Sequence, residues 1–451
     1  MVRTFQIKKG LDLNLTGSAE KHMRDLAKAK ECVVYPTDFL GVSPRLAVKE
    51  GDVVLAGDVL FRDKQTERIA FVTPVSGTVK AIERGERRKL LAIRIEADAE
   101  QKSREFDVKD CTTKDAVLDV LLSSGLFAFF RQRPYDVTAS PVDTPKGIFI
   151  SAFSKMPLAA DFSYVVEGRE EQFLKGISVL STLAPVRLGI SPEQQEKKFA
   201  QTTDADVYIF NGPNPSGNVG VQINHIDPIN KGEVAWTVDA ETVITIGELF
   251  QTGRVELKRR IAVAGSKVEA PQYVETYIGT PLAHILDGQL TTDLADAHIR
   301  IINGNPLVGI KSQATDALRA FSHEVCIIPE GDDVHEVFGW IAPRLKQFST
   351  HHSYLSWLFG RRRQYDLDCR VKGGERHMIM SGEYESVFPM DIYPAHLIKA
   401  IITGDIDRQE ELGIYEVAPE DFAVAEFIDS SKLELQRIVR EGLDILRKEN
   451  A

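Results

Sequence analysis

The chain has 451 residues, 43% of them hydrophobic and 27% charged, with 55 basic against 66 acidic side chains and a formal net charge of -11. That length is several times an ordinary domain, so three or four units are expected, each able to bury its own core. The acidic balance disfavours a dedicated nucleic-acid surface, which relies on clustered positive charge.

Two halves of one twisted hairpin come first, "VKEGDVVLAGDVLFRD" (Val48 to Asp63) and "RIAFVTPVSGTVKAIE" (Arg68 to Glu83), each alternating turn residues with Val, Leu, Ile and Phe. The cadence is that of small β-domains that carry biotin or a lipoyl group on a lysine at the hairpin tip. Here the tip falls near Thr66 and Glu67, with Lys64 to one side, so the fold is expected to be kept and the swinging arm lost. The short basic runs at Arg84 and Gly360 read as solvated loop tips, the second also as a contact for an anionic surface.

After Asp98 the pattern lengthens. "TKDAVLDVLLSSGLF" predicts a helix, "KGIFISAF" a buried strand, "EQFLKGISVLSTLA" a second helix and "ADVYIF" a further strand, an alternation expected of a mainly parallel sheet with ligands at its carboxyl ends. Two loops there are candidate nucleotide cradles. In the first, Gly125 is followed by Leu126, Phe127, Ala128, Phe129 and Phe130, side chains that would fill the space phosphates need, before Arg131 and Arg133 offer charge either to an anion or to solvent. The second, "NGPNPSGNVG" (Asn211 to Gly220), forms a tight turn but matches neither dinucleotide nor Walker spacing, so it reads as a packing or docking turn rather than a cradle.

From Arg259, "RRIAVAGSKVEAPQYVETYIGTPLAHILDG" and "HIRIINGNPLVGIKS" give strands around one short helix, the layout of a β-grasp unit. The adjacent His351 and His352 point about a hundred degrees apart on a helix, so no metal site is expected from them. Trp357, Leu358 and Phe359 form a candidate apolar partner edge. Cys32, Cys111, Cys326 and Cys369 form no C-x-x-C pair, which disfavours zinc and iron–sulfur sites. The richest apolar run, Ala116 to Phe130, is interrupted by Asp119 and falls short of the roughly 20 residues a spanning helix needs. The opening "MVRTFQIKKGLDL" has no apolar signal core, which gives no reason to expect export.

The stretch Ser381 to Asn450, beginning "SGEYESVFPMDIYPAHLIKAIITG", together with "NGPNPSGNVGVQINHIDPINKGEVAW", "FGWIAP" and the N-terminal "IKKGLDLNLTG" and "VKEGDVVLAGDVLF", closely resembles the NqrA family of the sodium-translocating NADH:quinone reductase, over essentially the whole chain. The resemblance implies a peripheral subunit on the cytoplasmic face of a bacterial inner membrane, bound mainly to the membrane-embedded NqrB subunit. It implies a complex that passes electrons from NADH to quinone and exports sodium, with flavins and iron–sulfur centres held by other subunits. That family is similar in turn to the flavin-binding subunit of respiratory complex I, whose glycine-rich loop aligns with Gly125 to Pro134 here. The aromatic replacements argue against carrying flavin or NADH binding over.

The chain departs from the family's usual text at Asn214 and Ser216, where histidine and alanine are commoner, and near "EFIDSSK", where a cysteine-containing turn is usual. The expected fold is a multidomain α+β chain: a biotinyl/lipoyl-like barrel-sandwich hybrid (1–100), a Rossmann-like α/β domain (101–255), a β-grasp, SLBB-type module (256–330) and a mainly helical region (331–451). The expected role is structural docking, with no tightly bound cofactor or metal. A quinone or partner surface is expected at Asn211, Gly212, Pro213, Asn214, Gly217, Trp357 and Phe359, and a degenerate nucleotide loop at Gly125, Phe127, Phe129 and Arg131. The competing readings are an independent flavin–NADH dehydrogenase and a lysine-modified carrier.

Overall fold

The structure, a computed structural model, describes residues 3–109, 111–294, 298–333, 347–350, 354–359, 363–378 and 382–450. His351 and His352, and the side chains of Trp357 and Phe359, lie outside the described residues.

The first two strands, β1 (Arg3–Gln6) and β2 (Glu20–Arg24), leave the N-terminal domain and complete sheets formed far along the chain. The barrel-sandwich domain itself holds β3 (Glu31–Val34), β4 (Pro44–Leu46), β5 (Val53–Val54), β6 (Val59–Asp63), β7 (Ala70–Val72), β8 (Gly77–Arg84) and β9 (Leu90–Ala97). They form a four-stranded layer, β3-β9-β8-β5, and a three-stranded one, β4-β6-β7. The alternation seen in the sequence puts Phe61 opposite Phe71, stacked at 4.4 Å, with both rings buried. At the hairpin tip Asp63 accepts from the backbone N–H of Ser43 and of Thr66, each at 2.9 Å, which ties the turn down. Lys64 flanks that turn with its own N–H bonded to the Ser43 carbonyl.

The α/β domain contains α1 (Lys114–Ser123), β10 (Arg131–Arg133), β11 (Val137–Thr138), β12 (Ile148–Ser151), α2 (Phe162–Val165), α3 (Glu170–Ser181), β13 (Val186–Ile190), β14 (Asp206–Asn211), α4 (Val219–Ile226), β15 (Ala235–Thr237) and α5 (Ala240–Thr252). Its sheet order is β1-β14-β13-β12-β15-β10-β11; the first five strands are mutually parallel and β10 turns antiparallel against β15. Runs of Val, Ile and Leu buried on both faces are what such a covered parallel sheet requires. On one face α3 and α5 meet backbone to backbone: an added Cβ at Gly176 would sit 2.0 Å from the Val243 carbonyl oxygen, and at Gly247 1.8 Å from that of Gln172.

The third domain is a six-stranded sheet made from β16 (Lys258–Ala264), β17 (Gln272–Tyr277), β18 (Ile299–Asn303), β19 (Ile310–Ser312) and β20 (Glu324–Pro329), in the order β19-β18-β20-β16-β17-β2. Its short helix α6 (Leu282–Leu286) lays Leu282, Ile285 and Leu286 onto Ile261, Val274 and Ile327. The C-terminal part is helical: α7 (Glu383–Val387), α8 (Pro394–Thr403), α9 (Ile406–Glu411), α10 (Ala423–Ile428) and α11 (Leu435–Glu449). Along α11 the buried residues Leu435, Ile438, Val439, Gly442, Leu443 and Leu446 follow helical spacing. Their core includes Ile7, Phe210 and Val221, so the helices are docked on the α/β sheet. Among the described residues, no helix is long and apolar enough to cross a membrane.

Candidate functional site

Where β12 and β15 end, the chain turns away from the sheet and leaves a cleft of about 890 Å³. Its walls come from all four parts of the chain, including Asp38 of the first domain, Arg131 and Asp239 of the second, His323 of the third and Arg440 of α11. The carboxyl edge of a parallel sheet is the general place for a ligand in such folds, and the volume is that of a small-molecule site.

The sheet edge is pinned from below. Ser151, the last residue of β12, donates from Oγ to the Gly217 carbonyl (2.8 Å) and accepts from Gln222 Nε2 (2.8 Å). Gln222 in turn occupies the space a side chain at Gly189 would need. The turn before α4 is thereby held against β12.

One ionic cluster joins the α/β domain to the C-terminal helices. Arg133 is only 1% exposed and lies 3.1 Å from Glu420, 3.7 Å from Asp421 and 3.8 Å from Asp136. Arg440 of α11 donates to the carbonyls of Tyr135 (2.5 Å) and Asp136 (3.2 Å). Burial by itself raises the Asp136 carboxyl, but Arg133, Arg131 and Arg440 together reverse this and hold it below the ordinary carboxylate range. Asp421 goes the other way: burial pushes it up to about 7, opposed by Arg133 and reinforced by Glu420. Its carboxylate abuts the first turn of α4, where a Cβ at Gly220 would come within 2.5 Å of Oδ2.

A second cluster joins the α/β domain to the third. Asp239 caps α5, accepting from the Thr242 N–H (2.9 Å), and takes Arg259 Nη1 at 2.9 Å. Glu241 accepts from the Arg260 N–H (2.7 Å) and from Arg169 (3.1 Å), and its Oε2 lies 3.4 Å from His323 Nδ1. Burial opposes ionisation of both acids; for Asp239 the neighbouring Arg259 and His323 outweigh it, and for Glu241 the bond from His323 and the charge of Arg259 do, so both lie below their ordinary values. A third link, Arg319 to Asp38 (2.9 Å) with the guanidinium 3.8 Å above the Tyr35 ring, ties the third domain to the barrel. Between the charges the wall is apolar, with Phe129, Phe153, Phe162 and Phe321 on it and the Arg131 guanidinium 4.3 Å over the Phe321 ring.

The candidate loops divide. After Gly125, Leu126–Phe129 form one 3₁₀ turn. Phe127 and Phe130 are fully buried, stacked at 5.0 Å and edge-on to Trp236, under the sheet; Phe129 and Arg131 reach the cleft. Gly125 has a positive φ of 77°, and a Cβ there would strike Val72 of the barrel at 2.8 Å, so this glycine serves domain packing. In the other loop Asn211 is exposed and bonds Gln6, while Gly212, Pro213 and Asn214 pack against residues 7–12, and Asn214 is fully buried with neither amide atom hydrogen-bonded. Of that loop's five candidates, Gly217 lines the cleft.

Residues 5–98 match the family model described as the NqrA N-terminal barrel-sandwich hybrid domain, 112–255 the NqrA second alpha/beta domain and 260–314 the NQRA C-terminal domain. The chain is 33% identical over 450 residues to the NqrA subunit of the Na(+)-translocating NADH-quinone reductase of Marinomonas sp. (strain MWYL1), covering 99% of this chain and 100% of that one. Against the corresponding protein of Haemophilus influenzae (strain PittGG) identity is 34% over 451 residues, covering 98% and 99%. The chain belongs to the NqrA family. A chain of an NAD+-reducing [NiFe]-hydrogenase overlaps 75% of it at 12% identity and a TM-score of 0.39, too slight to bear on the fold.

As an NqrA family member the chain is part of an oxidoreductase complex, named for NADH, quinone and sodium. The cleft residues Asp136, Asp239, Glu241, His323, Glu420 and Arg440, with Arg259 behind them, escape sequence reasoning, because they come from separate domains and no spacing connects them. One signal was present: "TVDAET" sets an N-cap aspartate before a helix, the geometry that aims Asp239 at the end of the sheet.

Proposed function

We propose that this chain is the peripheral, cytoplasmic-face component of the complex, docked on the membrane-embedded NqrB subunit. In this reading it holds no flavin or iron–sulfur centre of its own, and its cleft receives a neutral quinone rather than a nucleotide. The carrying observation is charge. Six carboxylates line the cleft (Asp38, Asp136, Asp239, Glu241, Glu324, Glu420) against four guanidinium groups (Arg131, Arg133, Arg319, Arg440), and each of those four lies within 4.0 Å of a carboxylate.

A pyrophosphate needs positive charge that is not already spent, together with a free helix N-terminus. At α4 that position is taken by the chain's own Asp421. A neutral ring with two carbonyl acceptors asks instead for an apolar wall and a few donors, which Phe129, Phe321 and the polar rim offer. Two of the four cysteines, Cys32 and Cys326, are buried in different sheets, and the described residues hold no cysteine cluster that would bind iron. We read the second domain as Rossmann-like, from its five parallel strands and flanking helices, and the third as a β-grasp module, from its sheet folded over α6.

The alternative, an independent flavin–NADH dehydrogenase, requires a yellow isolated chain. The test is to assemble the complex with a photoreactive quinone, map the adducts, and record the absorption spectrum of the purified chain. Adducts on residues of the cleft and a colourless protein are expected; absence of label from this chain, or a bound flavin, would overturn the proposal.

A further inference from the structure

The β8–β9 hairpin closes over Glu86–Lys89, with the Lys89 N–H bonded to the Glu86 carbonyl (3.1 Å) and the Gly85 N–H to the Lys89 carbonyl (2.8 Å). Both corner residues are left-handed: Arg87 has φ 52° and ψ 28°, and Arg88 a φ of 60°. Positive φ at both corners marks the type I′ turn, which follows the twist of its strands and ordinarily has Asn-Gly or Asp-Gly there. A residue with a long side chain is strained in that conformation, and here two stand in succession. Neither is held by burial or by a partner. Residues 86–89 are all exposed, and among the described residues Arg87, Arg88 and Lys89 have no ion pair and no side-chain hydrogen bond. Arg84 donates to the Arg88 carbonyl (3.3 Å) and so braces the turn, while Glu83 is taken by Arg94. Beside the cations Leu91 is exposed as well, and it lies against Gly85, where an added Cβ would come within 3.0 Å of it. Packing thus accounts for neither arginine, and strain kept without a structural return points to use.

We propose that this turn is a membrane-surface contact, in which Arg87, Arg88 and Lys89 take the phosphodiester oxygens of anionic lipid headgroups and Leu91 meets the acyl boundary. The inference rests on the peripheral reading above and adds the lipid to that reading's partners. A guanidinium group suits phosphate because its donors match two oxygens at once. The turn sets three cations against Glu86 alone, and salt screens the rest of the acidic chain beyond about 10 Å. Single-stranded nucleic acid asks in addition for aromatic platforms, and there is no aromatic residue from Arg84 to Leu91.

The test sediments the full chain, at low ionic strength, with vesicles of phosphatidylcholine alone or with phosphatidylglycerol added. The wild type is expected to bind the acidic vesicles only. Arg87→Asn with Arg88→Gly, which restores the ordinary corner residues, is expected to weaken that binding about twenty-five-fold, at about fivefold for each charge removed from such a surface, and to melt no lower than wild type. Arg87→Lys with Arg88→Lys, which keeps both charges, is expected to lose far less. Equal binding by wild type and the Asn-Gly variant, equal binding to neutral vesicles, or tighter binding to a single-stranded RNA oligomer than to the vesicles would each overturn the inference. A lower melting temperature for the Asn-Gly variant would refute the strain argument and the inference with it. A wild-type chain that ignores acidic vesicles yet copurifies with the membrane-embedded NqrB subunit would remove the inference and leave the peripheral reading intact; failure of both would remove the two together.

Discussion

Gly247→Ala isolates a conflict whose sign the structure decides. In an exposed helix the change would stabilise by about 1 kcal/mol, because glycine is the poorer helix former. Gly247, however, faces Gln172 across the α3–α5 contact, where the new Cβ would lie 1.8 Å from a backbone oxygen, against the 3.4 Å at which ordinary contact begins. The obstacle is main chain on a helix, so no rotamer change relieves it. The two helices must separate by about 1.6 Å, the difference between those two distances. Overpacking of this kind costs about 1–3 kcal/mol and sometimes more, and a rigid partner puts it at the upper end. The expected net loss is about 2 kcal/mol, or roughly 4–8 °C in melting temperature for a domain of this size. Because α5 begins at Asp239 and Glu241, the same displacement should loosen the ion network behind His323. Thermal denaturation followed by circular dichroism measures it. A variant more stable than wild type would refute the argument from close helix approach.

Phe127→Ala removes a fully buried ring stacked on Phe130 and set against Trp236; a loss of about 3–5 kcal/mol is expected in urea unfolding. Arg133→Met leaves the buried Asp421 without its cation and Asp136 with only Arg131 and Arg440, and should cost about 3–5 kcal/mol; adding Asp421→Asn should restore part of it, which a double-mutant cycle reads directly. For Asp239, whose folded value is depressed, ionisation contributes stability that is present above the unfolded value of 3.8 and lost as pH falls through the folded one. The stability gap between wild type and Asp239→Asn should therefore be full at pH 6 and narrow progressively below about pH 4 in acid-titrated urea melts. Lys64, off the hairpin apex, should carry no lipoyl or biotinyl mass when the intact chain is weighed after expression with the modifying ligases.

The strands and helices were legible wherever burial follows one period. The barrel strands declared themselves by alternation, α1 and α3 by helical spacing, and the parallel strands by unbroken apolar runs such as Ile148–Ile150. The aromatic loop was legible as a site crowded by bulky side chains, but not as two groups: Phe127 and Phe130 turn under the sheet while Phe129 and Arg131 look into the cleft. That division depends on the single 3₁₀ turn after Gly125. Likewise, Asn214 read as part of a packing or docking turn, but its partners, residues 10–12, lie 200 residues away, a pairing no local pattern announces. The cleft's ionic clusters were hidden for the same reason.

The threading of β1 and β2 bears on how this polypeptide can be made and cut. Both ribbons leave the ribosome well before the strands they accompany, β14 and β17, which are synthesised some two hundred and two hundred and fifty residues later. Until then each presents an unsatisfied edge, open to mispairing with another nascent chain. An isolated fragment ending near residue 100 would carry two homeless strands, whereas one beginning after residue 24 would leave them behind. The opening residues thus act as a seam, sewn last, that binds two separately finished sheets to the module between them.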